Sequence, residues 1–296
     1  MNIDLNIGHG QNGLSGVENL SFAPSPHINL EAQVAKQWLT IYADVMGHHG
    51  LGSLQEFMEE NRYRIIHAGI IEPHFASYTP VDAELGLHIR PVRDLLIEVH
   101  GGYAYMIHED VWVATTDSAV FAPLNINMMA GDFGYFHADY QRGKIGGQIN
   151  YHFQDKLRIN VSGDYFFWRG DTTVYDRPDW TLDVRIDGRM DKHWSIYSDN
   201  HFQGGQNALS YSGKTDTYTE HYLRPIIDLN LGVQYNMWVG KAKKTASPDS
   251  GVLKPEPKPN LTLFFELENW LHHKNEYYYG YRSQGISFLL GATYRF

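Results

Sequence analysis

Four charged residues alternate along one stretch of the sequence, and their spacing suggests a shared chemical task. In DVRIDGR, residues Asp183, Arg185, Asp187 and Arg189 occupy every second position. Because successive side chains of a strand point to opposite faces, the four charges lie on one side of a strand. Such a row can line a water-filled passage and select solutes, or it can brace a wall with ion pairs. The sequence leaves both interpretations open.

Other segments place charges on one face in the same way. Arg158 and Asp164 share a face of one predicted strand, and Glu266 and Glu268 share a face of another. We therefore predict a common charged lining that includes residues from several strands. This candidate set consists of Asp183, Arg185, Asp187, Arg189, Glu266, Glu268, Arg158 and Asp164.

Histidine is abundant, with 16 residues, and imidazole is a common ligand for zinc and copper. Adjacent pairs occur at 48–49 and 272–273, but none of the spacings forms a recognisable ligand set. His88 and His100 are predicted to face the same side from neighbouring strands. We nevertheless expect hydrogen-bonded or solvated histidines, and we predict no metal site and no cofactor.

Catalysis receives little support from the sequence. Ser198 and Asn200 share a face of one predicted strand, while His201 points to the other face. A catalytic triad within this strand is therefore excluded by geometry. The patterns GxSxG, HExxH and the phosphate-binding loop are also missing from the sequence. We predict that the protein is not an enzyme.

A cluster of tyrosines in EYYYGYR is the strongest candidate for a recognition element. The candidates are Tyr277, Tyr278, Tyr279 and Tyr281. On an exposed loop they could stack on sugars or anchor a partner. They could equally belong to an aromatic girdle at a membrane interface.

Period-two alternation recurs along most of the chain and predicts an all-β protein with about 14 strands. Many predicted strands run about 9–13 residues, which suits a tilted bilayer crossing, whereas strands of soluble sandwiches average about 5–6. The helical pattern at 51–63 is expected to be a short helix in a loop. The clearest alternating segments are 157–167, 180–190, 227–235 and 286–296, and further strands are predicted at 133–141, 144–153 and 193–202, among others.

The connections alternate between short and long, which is typical of outer-membrane barrels. Tight turns are predicted at 154–156 and 191–192, and long polar loops at 169–178, 203–222 and 272–284. The Lys/Pro-rich segment 240–260 departs from this order and is predicted to be a flexible loop within a single 1–296 barrel domain. It could contact an envelope protein partner, although such segments are more often solvated linkers.

Two architectures fit one apolar and one polar face per strand. In a soluble β-sandwich, here a carbohydrate-binding one, the apolar faces meet in a core; in a transmembrane barrel they contact lipid. The final strand ends on Tyr294 and Phe296, a pattern resembling the signal that barrel assembly machinery recognises. We therefore favour an antiparallel transmembrane barrel in the outer membrane. The net charge of −10 argues against nucleic-acid partners.

Residues 150–296 resemble the closing hairpins of TonB-dependent receptor barrels. Asn269, Trp270 and Leu271 match the rim, residues 277–285 match the aromatic loop, and the end matches GxxYxF. The resemblance implies passage of an unknown solute across the outer membrane. A plugged structural or docking barrel of an envelope complex is the alternative.

The sequence also departs from this family. No segment resembles the plug domain or the TonB box, and the chain is too short for 22 strands. The resemblance therefore implies either the C-terminal part of a receptor or a smaller relative without a plug. It does not imply coupling to TonB.

Overall fold

The computed structural model describes residues 2–12, 19–35, 38–51, 76–121, 126–154, 156–237 and 261–295. These residues form β-strands, and no helix among them is long and apolar enough to cross a membrane. The first nine strands are β1 (Asn2–Asn12), β2 (Asn19–Ala35), β3 (Leu39–Leu51), β4 (Ala76–Val92), β5 (Leu95–Thr115), β6 (Ala119–Phe121), β7 (Ile126–Met128), β8 (Phe133–Phe153) and β9 (Leu157–Gly170). The other nine are β10 (Trp180–Arg189), β11 (Trp194–Gln203), β12 (Gln206–Ser212), β13 (Thr217–Leu223), β14 (Ile226–Met237), β15 (Leu261–Glu268), β16 (Glu276–Tyr278), β17 (Tyr281–Arg282) and β18 (Ser287–Tyr294).

Twelve strands form one antiparallel meander, which we call the wall. Their order is β1-β2-β3-β4-β5-β8-β9-β10-β11-β14-β15-β18. Within the described ranges no hydrogen-bonded pairing joins β1 to β18, the two ends of this order. The turns at 93–94 and 190–193 lie at one end, the turn end. The described long connections, at 171–179, 204–225 and 269–286, lie at the other end, the loop end.

A barrel of about 14 strands was expected. The described residues form a sheet of 14 strands, of which 12 make the wall and two make a separate hairpin. Strands β12 and β13 form a hairpin inside segment 203–222, which the sequence indicated as a plain loop. In the other direction, segments 133–141 and 144–153 were expected as separate strands and are one strand, β8. The short helix expected at 51–63 lies outside the described residues from residue 52 onward, as does the whole of segment 240–260.

Apolar side chains of the wall lie on its outer face and remain accessible. The register pairs Ile97 with Ile149 and Val161 with Val184, so the apolar residues of neighbouring strands lie opposite one another on the same face. In a sandwich these faces would be buried against each other. Instead, the accessible apolar side chains of this face include Leu30, Leu85, Leu87, Val99, Ile145, Ile149, Phe167, Ile186, Ile196, Leu263, Phe265, Phe288 and Leu290.

The buried hydrophobic core lies at the loop end, in a region that we call the cap (residues 106–121, 126–140, 171–179, 206–223 and 276–282). Strands β5 and β8, each of 21 residues, extend beyond the wall into this region. The largest fully buried side chains of the described residues belong to the cap or adjoin it: Trp112, Tyr140, Ile226, Val111 and Val113. Among the described residues, the buried hydrophobic core therefore lies in the cap, and the wall encloses no comparable core.

A bulge marks the junction between wall and cap in β5. The register with β8 shifts between Met106 and Glu109, and His108 has a φ of 59°. An inserted residue bends a strand and changes the direction of its side chains. Beyond this bulge β5 buries both faces, because Val111 and Val113 join one apolar cluster and Trp112 and Ala114 join another.

Candidate functional site

The inner face of the wall is built from polar side chains that reach across glycines. Tyr42 on β3 extends over Gly86 on β4, and its hydroxyl lies 2.7 Å from Glu84 Oε1 and 2.9 Å from Glu98 Oε1. A Cβ at Gly86 would lie 2.5 Å from the tyrosine ring. The missing side chain therefore allows a contact between strands that are not neighbours.

The same arrangement continues toward β9. His100 Nε2 on β5 lies 2.8 Å from Asp164 Oδ1 on β9, across Gly146 on β8. A Cβ at Gly146 would lie 2.2 Å from that carboxylate oxygen. His100 Nδ1 lies 3.2 Å from Glu98 Oε1, so the imidazole is held between two carboxylates.

Cations complete this group, which we call the upstream cluster (Tyr42, Glu84, His88, Glu98, His100, Lys144 and Asp164). The ammonium of Lys144 contacts Glu84 Oε2, and His88 Nε2 lies 3.3 Å from Glu98 Oε2. On the next row toward the loop end, a single nitrogen of Arg142, Nη2, donates to both carboxylate oxygens of Asp82, at 3.2 and 3.1 Å. Side chains of the upstream cluster are mostly shielded; that of His100 is 11% exposed.

Three of the four residues of the predicted ladder on β10, namely Asp183, Arg185 and Asp187, form charge pairs. The guanidinium of Arg185 donates two hydrogen bonds to Asp187, both of 3.1 Å, and one of 2.9 Å to Asp199 on β11. His201 Nδ1 lies 2.7 Å from Asp183 Oδ1. A planar guanidinium suits such bidentate contacts with carboxylates. The ladder therefore braces neighbouring strands, while roughly half of the Arg185 side chain, 46%, remains accessible.

The remaining lining residues divide between two places. Arg158, directly opposite Asp187, lines an open cavity of about 470 Å³ at the turn end together with Arg189. Glu266 accepts a hydrogen bond from Tyr197 of β11 across Gly232 of β14, and Glu268 accepts one of 2.7 Å from Ser287. The register puts all eight predicted lining residues on the inner face; Arg189 extends this row of β10 by its alternation.

Sequence reasoning missed Tyr42, Glu84, Lys144 and Asp199, which the structure adds to the lining. A signal was present: glycines occupy the polar phase of several strands, at positions where a polar residue was expected. On the outer face, Ser198 and Asn200 hydrogen-bond to each other. His201 lies on the inner face, as the alternation required.

The four candidate tyrosines lie in and around the β16–β17 turn. Tyr278, Tyr279 and Tyr281 pack against the buried cluster of Trp112, whereas the side chain of Tyr277 is 37% exposed. Tyr281 donates a 2.6 Å hydrogen bond to the carbonyl of Gly131, and Tyr278 meets the ring of Phe133 edge-on. Tyr279 stacks on His221 with 3.7 Å between ring centroids, and Gln206 donates to the Tyr277 carbonyl. Residues of this turn precede β18, yet they contact the ends of β5 and β8.

The hairpin β12–β13 makes a second connection across the loop end. It follows β11 but pairs in parallel with β5, through Leu209–Tyr211 and Val113–Thr115, and so passes the ends of β8, β9 and β10. Both connections require a strongly curved sheet, because they join strands that are distant in the sheet order.

Carboxylates fasten the hairpin and its neighbouring loop. Asp117 accepts hydrogen bonds of 2.8 Å from Ser212 Oγ and from the amide of Gly213, and these bonds lower the pKa of Asp117. The hydroxyl of Tyr175 donates a 2.6 Å hydrogen bond to Glu220, and burial, followed by this bond, raises the pKa of Tyr175.

Several solved structures of other proteins resemble this chain in fold. The pyoverdine outer membrane receptor FpvA from Pseudomonas aeruginosa PAO1 matches 99% of this chain with a TM-score of 0.60 and 10% identity. The ferric enterobactin receptor PfeA from the same species and the copper transporter OprC each match 92% with a TM-score of 0.55, at 14% and 12% identity.

The fold is that of an outer-membrane barrel. This likeness confirms the expected all-β barrel class. The FpvA neighbour is named as an outer membrane receptor, which agrees with the expected location. The chain spans 40% of the length of each of these three neighbours. Neither a protein-family model nor a curated protein sequence matches the chain. By their names, two of these neighbours are receptors and one is a transporter.

Proposed function

We propose that this chain forms the wall of an outer-membrane barrel that passes solutes through a polar interior and is closed at the loop end by the cap. The observation that carries the proposal is the paired, charged inner face opposite an accessible apolar outer face. Lipid would contact the outer face, and Tyr294 with Phe296 would act in recognition by the barrel assembly machinery. Tyr294 ends β18 on the outer face; Phe296 lies outside the described residues.

The neighbours are named for binding pyoverdine, for ferric enterobactin and for copper transport. We extend only the passage of small solutes to this chain. A plugged structural or docking barrel with an envelope partner is the second candidate, and the cap favours it, since a packed cap can close a lumen permanently. The eight lining charges would set solute selectivity under the first candidate and brace the barrel under the second. The tyrosines of the β16–β17 turn would hold the cap closed under both, rather than bind a solute.

Conductance of the full chain in planar bilayers tests this proposal. Leu209 is 6% exposed in the hairpin, and Leu209→Asp places a charge inside the cap. We expect the variant to conduct at least several-fold better than the wild type, because a buried unpaired charge opens the packing. Tyr222→Asp is the matched control, since Tyr222 is 67% exposed on the same hairpin.

Each result separates the candidates. A closed wild type, a conducting Leu209→Asp variant and an unchanged Tyr222→Asp variant support a gated passage. Absence of conductance in all three proteins contradicts solute passage and supports the plugged barrel. Equal conductance in all three contradicts closure by the cap.

A further inference from the structure

We propose that Glu84, Glu98 and His100 bind a divalent transition-metal ion on the inner face of the wall. Their ligand atoms all lie within 4.8 Å of one another. Glu98 Oε1 and His100 Nδ1 are 3.2 Å apart. Ligands in a tetrahedral zinc site with bonds of about 2.0–2.2 Å are separated by roughly 3.3 Å. One pair therefore already has the required separation, and a side-chain rotation of Glu84 completes the set.

The orientation of His100 supports this assignment independently of the distances. Metal-bound histidines usually donate their other ring N–H to a carboxylate, which fixes the tautomer and the ring direction. Asp164 Oδ1, 2.8 Å from Nε2, occupies that position and directs Nδ1 toward the glutamates. Asp164 comes from a different strand and is placed by the glycine at 146, so the site includes an outer carboxylate as well as ligands.

Hydrogen-bond donors are too few for the acceptors in the upstream cluster. The Tyr42 hydroxyl has one hydrogen, yet it lies within 2.9 Å of two carboxylate oxygens. A neutral His100 has one N–H, yet both of its nitrogens face carboxylates. Additional positive charge between these oxygens would resolve both conflicts. A metal ion that binds Nδ1 and both glutamates supplies it.

Charge counting leads to the same conclusion. Glu84, Glu98 and Asp164 contribute three negative charges, and Lys144 contributes one positive charge. With neutral imidazoles the excess is therefore two negative charges, which a divalent ion neutralises. The neighbouring Asp82–Arg142 pair balances itself, and His88 adds a second imidazole beside Glu98. Partly buried carboxylates require such compensation.

The ligand types favour a transition metal over calcium or magnesium. Imidazole nitrogen with carboxylate oxygen suits zinc, copper or nickel, whereas calcium and magnesium prefer oxygen alone. Elsewhere in the described part of the chain, histidine meets single carboxylates. The Asp183–His201 pair is the clearest case, and its aspartate side chain is 56% exposed. No other group of three such ligands occurs among the described residues.

The experiment measures binding of Zn²⁺ and Co²⁺ to the full chain in detergent. Titration calorimetry with Zn²⁺ is expected to give one site that Glu98→Gln and His100→Gln each weaken at least about 100-fold. Co²⁺ is expected to give visible absorption bands of a tetrahedral site, and the same variants should lose them. His201→Gln is the matched control, since it removes a histidine–aspartate pair without a third ligand, and it should change neither signal.

A positioning variant keeps the test valid if a ligand variant fails to fold. Asp164→Asn retains the shape of the outer residue and is expected to weaken Zn²⁺ binding about 10–100-fold. Folding of every variant is checked by its mobility on an unboiled gel. Wild type without a Co²⁺ band, or with a band that His201→Gln removes, overturns the proposal. Unchanged binding in folded Asp164→Asn and Glu98→Gln also overturns it. These measurements test the metal site alone, because none of their outcomes depends on whether the protein passes solutes.

Discussion

The wall and the cap use the same residue types in opposite ways. In the wall, apolar side chains such as Ile145 and Phe288 are 56% and 74% exposed, while charged side chains face inward and pair. In the cap, Val111 and Val113 are 0% exposed, and buried polar side chains such as Thr115 and Ser210 are hydrogen-bonded. The cap has the packing of a water-soluble core, and the wall has the packing of a structure surrounded by lipid.

This difference shows which solvent each region is built for. An apolar face that is accessible over many strands is stable only where lipid covers it, because exposed patches of that size favour aggregation in water. The cap extends beyond the strands that would cross the bilayer and must bury its apolar groups by itself. The boundary between wall and cap lies at the bulge around His108, where β5 leaves the wall and enters the buried core of the cap.

The largest effect is expected from removing a large side chain inside the cap. Trp112 is 2% exposed and packs with Phe133, Tyr135 and the tyrosines of the β16–β17 turn. We expect Trp112→Ala to destabilise the cap by about 3–5 kcal/mol, as large core truncations do. Hydrogen exchange by mass spectrometry should show faster exchange in β12, β13 and residues 276–282, with the wall unchanged.

Ile145→Ala provides the control for this prediction, because Ile145 lies on the outer face of the wall. In a detergent micelle it should leave cap exchange at the wild-type rate. Faster exchange throughout the wall in Trp112→Ala would contradict the distinction between the two regions, since it would mean that they unfold as one unit.

A charge on the outer face of the wall should have the next largest effect. Ile149 is 44% exposed on β8, and the neighbouring Gln148 points inward. Lysine on the lipid face of a barrel costs about 2–4 kcal/mol near the bilayer centre. We expect Ile149→Lys to lower the urea midpoint of folding into lipid vesicles, and Gln148→Lys to change it little. A larger effect at Gln148 would reverse the assigned faces and support a sandwich.

The wall could be predicted from the sequence because alternation is a local signal. Strands β9, β10, β11 and β14 lie close to their expected positions, and the shared face of the lining charges follows directly from period two. Which charges meet could not be predicted. The contact between His100 and Asp164 spans 64 positions and depends on the registers of three strands and on Gly146.

The cap was missed for two physical reasons. The extension of β5 is buried on both faces, so VWVA at residues 111–114 lacks the alternation that identifies a half-buried strand. Segment 203–222, which contains the hairpin β12–β13, has three Gly, three Thr and two Ser among its 20 residues, and this composition indicates a loop. Strand β12 joins the main sheet by pairing with β5, about a hundred residues earlier in the chain. Pairing over such a distance leaves no local pattern in the sequence.

The smallest expected effect concerns the link between Asp117 and the β12–β13 hairpin. Hydrogen bonds from Ser212 and Gly213 lower the pKa of Asp117 in the folded protein. A lowered pKa means that the link stabilises the cap above the ordinary aspartate range and is lost as the pH falls through the lowered value. We expect exchange of β12 and β13, corrected for its intrinsic pH dependence, to rise a few-fold between about pH 5 and pH 2. In Asp117→Asn this rise should disappear, because the amide does not titrate.

Asp191 provides the control for this prediction, because backbone hydrogen bonds at the turn end also lower its pKa. Asp191→Asn should leave the acid response of the cap intact. An acid response that survives in Asp117→Asn would place the titrating group elsewhere and remove this carboxylate from the closure of the cap.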